Sequence, residues 1–318
     1  ALIKCDISGK GVSAALIMVQ VATVYMSYFR NWQARGGKVD LTALVTQIND
    51  IVESMGFSGK FAALTVGILD TETGTVSLCN AGDTKAYIFH ARQGALVDHD
   101  LPNAPAAGVF DSSMVPNGFQ ETSLRLEVGD ILLLFTDGVE EAQRVVRRED
   151  YSPYILTSEA MERGDYPDWL ENPLKEESIK RKEKGDLTEE FGLDRIRGVV
   201  RAVASRGYYR LEKAGNPDPD EELLFDFSGI EATAESTSLA LTAVEKVFRL
   251  YRTPSAGPDD RIRVDAALDD FLKQHFRQYH NYFGRRLPQG TDAFYREFSH
   301  VQEDEQYDDL TVLAIRKK

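Results

Sequence analysis

At 318 residues the chain is long enough for one large domain or two smaller ones, and 16 Phe and 13 Tyr within an apolar fraction of 42% can build a core. A formal net charge of −14 argues against a nucleic-acid partner, which needs a basic face, whereas acidic clusters suit divalent cations. Cys5 and Cys79 lie in apolar strand-like runs and read as buried, reduced thiols rather than a disulfide. No apolar run near the ~18 residues of a membrane span is read, nor a basic-then-apolar leader. A soluble, cytoplasmic chain without membrane contact is therefore expected, with room for a sensor or membrane segment upstream in a longer parent.

The opening "ALIKCDI" (1–7) reads as a strand. Val12, Leu16, Val19, Thr23 and Met26 then recur at spacings of three and four, which predicts a helix over 12–30, and a second is expected over 41–55. "FAALTVGILD" (61–70), the turn "TETG" (71–74) and "TVSLCNAGD" (75–83) form a hairpin. "KAYIFHA" (85–91) continues it and pairs with "GALVDH" (94–99). "SLRLEVGDILLLFTDG" (123–138) reads as another hairpin bending at Gly129–Asp130, with Asp130 a plain turn residue. Its arm "ILLLF" is continuously apolar, as in a strand covered on both faces. Helices with many antiparallel strands make an α+β sandwich.

After residue 144 the texture changes. The charged stretch 145–188, with "KEESIKRKEKGD" at 175–186, reads as solvated and partly mobile. A helix is predicted over 193–205, a proline- and acid-rich loop over 213–222, and a helix over 234–251 carrying Leu241, Val244, Phe248 and Tyr251. A further helix near 265–283 carries Leu268, Phe271, Leu272 and Phe276, and "DLTVLAIRK" (309–317) closes the chain as a strand. Three segments follow: a core over 1–144, a largely helical insertion over 145–303 in which 189–205 is a core helix, and a final core strand over 304–318. His275, His280 and His300 match no zinc spacing and read as ordinary helix or loop residues.

Four acids share one setting: Asp6 ("IKCDISG"), Asp83 ("LCNAGDTK"), Asp137 ("LLFTDGVEE") and Asp308 ("EQYDDLTVL") each lie at the end of an apolar strand, beside a glycine, a second acid or a Ser/Thr. A carboxylate at the mouth of a core strand is costly unless something positive meets it. No Lys or Arg accompanies all four in the sequence. A hard divalent cation satisfies several such oxygens at once, and adjacent glycines leave room for carbonyls or waters. Singly, each acid also reads as a turn former or helix cap.

The ordered set "DISGKGVSAAL", "FAALTVGILDTETGTVSLCNAGD", "GDILLLFTDGVEEA" and "YDDLTVLAI" resembles the metal-dependent Ser/Thr protein phosphatases of the PPM (2C-type) family, in its SpoIIE-like bacterial branch. The likeness spans about residues 1–144, 189–200 and 305–317. It implies an αββα sandwich of antiparallel sheets flanked by helices, with the large insertion above. It also implies two Mg²⁺ or Mn²⁺ ions, bridged by Asp6 with the Ile7 carbonyl as a further ligand, and completed by Asp137 and Asp308. Asp83 stands where this branch commonly has His, and resembles the acid of the eukaryotic-type motif that helps hold a third ion. Asp309 is expected on the opposite face of its strand. The implied nucleophile is a metal-activated water, so no protein side chain serves as the nucleophile. "DISGKG" lacks the spacing of a phosphate-cradling P-loop, and Lys10 reads as solvent-facing.

Two departures from the family pattern stand out. The family carries a further ligand acid in a "GGD"-like strand upstream of the opening here, so the chain reads as truncated inside the catalytic domain, with an edge that invites a homodimer. The insertion of roughly 160 residues before "YDDLTV" reads as a small subdomain, or as a docking or regulatory surface over the metal site. The function implied is hydrolysis of phosphoserine or phosphothreonine on a regulatory protein in bacterial signalling, such as an anti-sigma-factor antagonist. The alternative is a phosphatase-like scaffold with a weak or incomplete metal site; a small-molecule phosphohydrolase is a third reading.

Overall fold

Strand alternation and helical stripes build two units, Ala1–Thr136 with Leu313–Lys318, and Asp137–Val312. A computed structural model describes residues 1–170, 178–217, 221–253, 261–282, 285–289, 293–297, 300–306 and 308–318, the side chains of 281–299 excluded. Residues 175–177 of the charged run, 218–220 of the proline loop, 283 at the end of the last helical reading, and 307 lie outside the described residues.

The first unit runs β1 (Leu2–Ile7), α1 (Val12–Arg35), α2 (Leu41–Ser54), β2 (Ala62–Leu69), β3 (Thr75–Ala81), β4 (Lys85–His90), β5 (Ala95–Asp100), β6 (Glu121–Arg125) and β7 (Ile131–Phe135). One antiparallel sheet has the order β1-β2-β3-β6; in the other, β4 lies between β5 and β7, and the C-terminal strand Val312–Arg316 follows β7. Leu2, Val76 and Leu78 of the first sheet meet Ala86, Ile88, Leu132 and Leu134 of the second in one buried cluster. On the first sheet's other face, Leu64, Val66 and Cys79 are covered by Ile17 and Val21 of α1 and by Leu44, Ile48 and Val52 of α2. The layers are helix, sheet, sheet, and the fold class is α+β as the sequence predicts.

Two hairpin readings need correction. β4 does not continue the β2–β3 hairpin, and β6 and β7 do not pair: in each case the chain crosses to the other sheet. Alternation reports which residues face inward, and is silent on which sheet a strand joins. Asp130 is accordingly more than a turn residue. Only 2% exposed, its carboxylate accepts from the N–H of Ala91 (2.9 Å) and of Glu127 (3.0 Å) and lies 3.1 Å from His90 Nδ1, clamping the crossover. Burial opposes its charge, yet those N–H groups and His90 hold the carboxyl below its usual range.

The first helix ends five residues later than predicted, where Gly36 donates its N–H to Trp32 O at 2.7 Å. By length and composition this 24-residue helix is apolar enough to cross a membrane, which corrects the reading that no segment approaches a span. Ser, Thr, Gln and Tyr interrupt the apolar run without bringing a charge between Lys10 and Arg30. Ala14, Ile17, Val21 and Val24 face the core, whereas Val12, Leu16, Val19 and Met26 are exposed.

The second unit runs α3 (Asp137–Glu140), β8 (Gln143–Val145), α4 (Ser158–Arg163), β9 (Ile179–Arg181), β10 (Leu187–Glu190), α5 (Gly192–Ala204), β11 (Tyr208–Arg210), β12 (Leu224–Asp226), α6 (Ala234–Arg249), β13 (Leu250–Arg252), β14 (Arg261–Asp265), α7 (Ala266–His275), α8 (Tyr279–Tyr282), β15 (Arg285–Gln289), β16 (Ala293–Glu297) and β17 (Val301–Glu303). The insertion therefore holds paired strands (β8-β10-β9, β11-β12, β13-β17, β14-β16-β15) as well as helices. Strands of three residues are too short to display a period of two. Nor is 145–188 simply solvated: Val146, Leu156, Leu170, Ile179 and Leu187 form a buried cluster. The helix expected near 265–283 breaks at Phe276, whose extended backbone bridges to Phe225 with the two rings stacked at 4.8 Å.

Candidate metal centre

In β1, Leu2, Lys4 and Asp6 fall on one side by alternation, the side on which Leu2 joins the inter-sheet cluster. Asp6 is half-buried opposite Ala63, and Ile7, the last residue of the strand, is opposite Ala62. Ser8 ties the strand's exit to β2: its N–H donates to Phe61 O at 2.9 Å, and Phe61 N–H donates to Ser8 Oγ at 2.8 Å. Cys5 lies beside Asp6. Burial, followed by the negative charges of Asp6 and Asp83, pushes its thiol up to about 12.

The acid at 83 is already engaged. Lys4 Nζ donates to Asp83 Oδ1 at 2.7 Å, Thr65 Oγ1 donates to Oδ2 at 2.5 Å, and Asn80 Nδ2 donates to the Asp83 carbonyl at 2.6 Å. Lys4 is 8% exposed, so this is a buried ion pair. The signal for it was present in the sequence: a lysine two residues before Asp6 must share Asp6's face. Gly82 has φ +85°, and a Cβ there would stand 2.9 Å from Ala106 Cβ and 3.3 Å from Ala63 Cα, so only glycine fits before Asp83.

The second unit holds the other two acids. Asp137 opens α3, and its carbonyl accepts the Glu141 N–H at 2.7 Å. At Gly138 a Cβ would stand 2.5 Å from Asp309 O and 3.3 Å from the Asp308 carbonyl carbon. Glycine in "TDG" is therefore what lets the "DD" backbone rest against the segment carrying Asp137. Gln306 seals the contact, its Nε2 donating to Gly138 O (2.9 Å) and Asp308 O (3.0 Å). The Asp309 N–H turns back to Asp308 Oδ1 at 2.8 Å. Glu141 feels the result: partial burial, then the charges of Asp137, Glu190, Glu140 and Asp308, raise its carboxyl above the usual range. Gln306 and Glu141 were missed although both lie inside quoted stretches, "EQYDDLTVL" and "LLFTDGVEE", because neither stretch shows which distant groups its side chains meet.

The structure thus brings Asp137 and Asp308 to one backbone junction and commits Asp83 to Lys4. The donors at that junction are all carboxylates and carbonyls, a set that suits a hard divalent cation. Among the described residues no three His, Cys, Asp or Glu side chains converge closely enough to hold a metal as they stand. His275 is committed elsewhere, its Nδ1 2.9 Å from Asp226 O.

Comparison with known proteins adds the following. The model of the family "Stage II sporulation protein E (SpoIIE)" matches residues 1–161. Protein IcfG of Synechocystis sp. is 33% identical over 95 residues, which are 29% of this chain and 14% of IcfG. Of solved structures, the SiaA-PP2C domain of Pseudomonas aeruginosa is 13% identical, with 99% of this chain and 73% of that one covered and a TM-score of 0.44. The PP2C phosphatase domain of SpoIIE from Bacillus subtilis, with a fragment of its regulatory domain, is 18% identical (44% and 38% covered, TM-score 0.35). RsbX in complex with magnesium is 17% identical (43% and 59% covered, TM-score 0.32).

Proposed function

Because the chain belongs to the SpoIIE family, we propose that it is a metal-dependent phosphatase that hydrolyses phosphoserine or phosphothreonine on a regulatory protein. The observation that carries this reading is the junction at Gly138, where the "TDG" and "DD" backbones touch and the two acids that the resemblance assigns to metal lie within one unit. The donors proposed, as the resemblance assigns them, are Asp6, the Ile7 carbonyl, Asp137 and Asp308. Asp83 enters the set only by exchanging Lys4 and Thr65 for a cation.

Bound Mg²⁺ or Mn²⁺ ions would supply Lewis acidity toward the phosphoryl oxygens and lower the pKa of a water. The protein's own part is to hold the donors. Gly138 keeps its Cα bare so that the Asp308–Asp309 backbone can approach, and Gln306 fixes the two carbonyls on either side. Lys4 neutralises Asp83. Burial pushes the thiols of Cys5 and Cys79 up to about 12.

The test is phosphate release from a phosphoserine peptide with Mn²⁺ or Mg²⁺, against the same reaction in EDTA. Release that EDTA stops is expected. One observation favours the scaffold reading instead, namely that no three donor side chains converge among the described residues. Absence of release under either metal would decide for it.

A further inference from the structure

Three residues of one cross-strand row converge on Asp83. Lys4 on β1 lies opposite Thr65 on β2, and Thr65 lies opposite Asn80 on β3. By alternation all three share the side of the sheet on which Leu2 and Leu78 meet the second sheet. They are 8%, 0% and 1% exposed. Lys4 Nζ donates to Asp83 Oδ1 at 2.7 Å, Thr65 Oγ1 to Oδ2 at 2.5 Å, and Asn80 Nδ2 to the Asp83 carbonyl at 2.6 Å. Both carboxylate oxygens are therefore met from this row, and within it Lys4 alone brings charge. A divalent ion reaches Oδ1 only by displacing that ammonium. The ammonium is tethered to β1 and always at hand, whereas a dissolved ion such as Mg²⁺ must first shed water, which it does reluctantly. The row also holds an unused acceptor. The Asn80 amide nitrogen donates to the carbonyls of Asp83 and Pro102 (2.9 Å), which leaves Asn80 Oδ1 buried with no hydrogen-bond partner. The carboxylate, hydroxyl and amide oxygens of Asp83, Thr65 and Asn80 are the hard donors that Mg²⁺ and Mn²⁺ take.

We propose that Lys4 is the resident cation of Asp83, and that its ammonium closes a latent divalent-cation site made of Asp83, Thr65 and Asn80. With Lys4 in place the chain holds no ion at Asp83, and this acid drops out of the metal set that the resemblance implies. With Lys4 replaced by a neutral side chain, Asp83 is left charged in a dry setting, and a divalent ion takes over the neutralisation. The inference rests on the metal-dependent reading for the kind of ion, Mg²⁺ or Mn²⁺, and on the cross-strand row for everything else. It does not depend on turnover.

The test counts Mn²⁺ bound per full chain, by the EPR signal of the free ion, and records melting temperatures in EDTA and in Mn²⁺. Lys4→Met is expected to melt roughly 5–10 °C below wild type in EDTA. It should bind one Mn²⁺ more than wild type and regain at least about half of the lost melting temperature when Mn²⁺ is added. A structural ion pair without a latent site gives the lower melting temperature with neither the extra ion nor the recovery, and that result overturns the proposal. A second variant, Lys4→Met with Asp83→Asn, removes both charges together and so needs no cation to fold. It should bind as many Mn²⁺ as wild type. One ion fewer than wild type overturns the proposal, because Asp83 then holds metal alongside Lys4. An extra ion in Lys4→Met, with none bound and no phosphate released by wild type, upholds the role of Lys4 and removes the phosphatase reading.

Discussion

The first unit buries its core as layers of aliphatic side chains; the charges it buries are Lys4, held by Asp83, and Asp130, held by N–H groups and His90. The second unit buries Arg144, Arg147, Glu189, Glu245, Arg249, Asp269 and Asp304. There Glu189 lies between Arg144 (2.6 Å) and Arg195, Arg147 meets Asp304, and Arg249 joins Glu245 to Glu303. Guanidinium groups also stack on rings, Arg147 over Tyr251 at 3.3 Å and Arg195 over Phe248 at 4.8 Å. A lattice of this kind contributes little net stability over an apolar core, but it punishes the loss of any one member, because the partner is left charged and dry. The first unit should therefore respond to cavities and the second to broken pairs.

The largest effect is expected at Glu189→Gln. It leaves Arg144 and Arg195 without their shared counter-charge and should cost about 3–5 kcal/mol in urea unfolding; a loss under about 1 kcal/mol would break the comparison. Next comes Leu78→Ala, at a wholly buried position between the two sheets, expected to cost about 3 kcal/mol with little dependence on salt. A more specific effect belongs to Lys213, whose Nζ donates to Leu250 O at 2.6 Å. Burial, followed by the nearby charge of Arg144, pushes its ammonium down to about 7 from 10.5. Between those values the unfolded chain binds the proton that the folded one has released, so stability rises with pH from about 7 to 10.5, by up to about 1.4 kcal/mol per unit. Lys213→Met should flatten that rise in melting temperature, and an unchanged slope would assign it to other groups.

The same contrast explains what was legible in the sequence. Long amphipathic segments of the first unit declare themselves: α2 and β2 fall within one residue of their predicted bounds, and "ILLLF" is the covered strand β7. Sheet membership is not written in alternation, so β4 and β6–β7 were misplaced, and the buried clamp at Asp130 looked like any Gly-Asp turn. In the second unit α5 and α6 were readable, the latter from Leu241, Val244 and Phe248, all buried. The three-residue strands and the ion pairs were not, because each depends on partners as distant as Arg147 and Asp304. At the candidate centre the motif acids were visible. That Gly138 is a contact point, that Gln306 holds it, and that Asp83 belongs to Lys4 became visible only in three dimensions.

The proposed metal chemistry stands or falls at Asp137, which is exposed at the start of α3. The direct test is Mn²⁺-dependent phosphate release from a phosphoserine peptide by the full chain, wild type against Asp137→Asn, with both melting temperatures recorded. The account predicts turnover that falls at least about 100-fold in the variant with no loss of melting temperature. Equal turnover in the two forms, or no metal-dependent turnover in wild type, would contradict it.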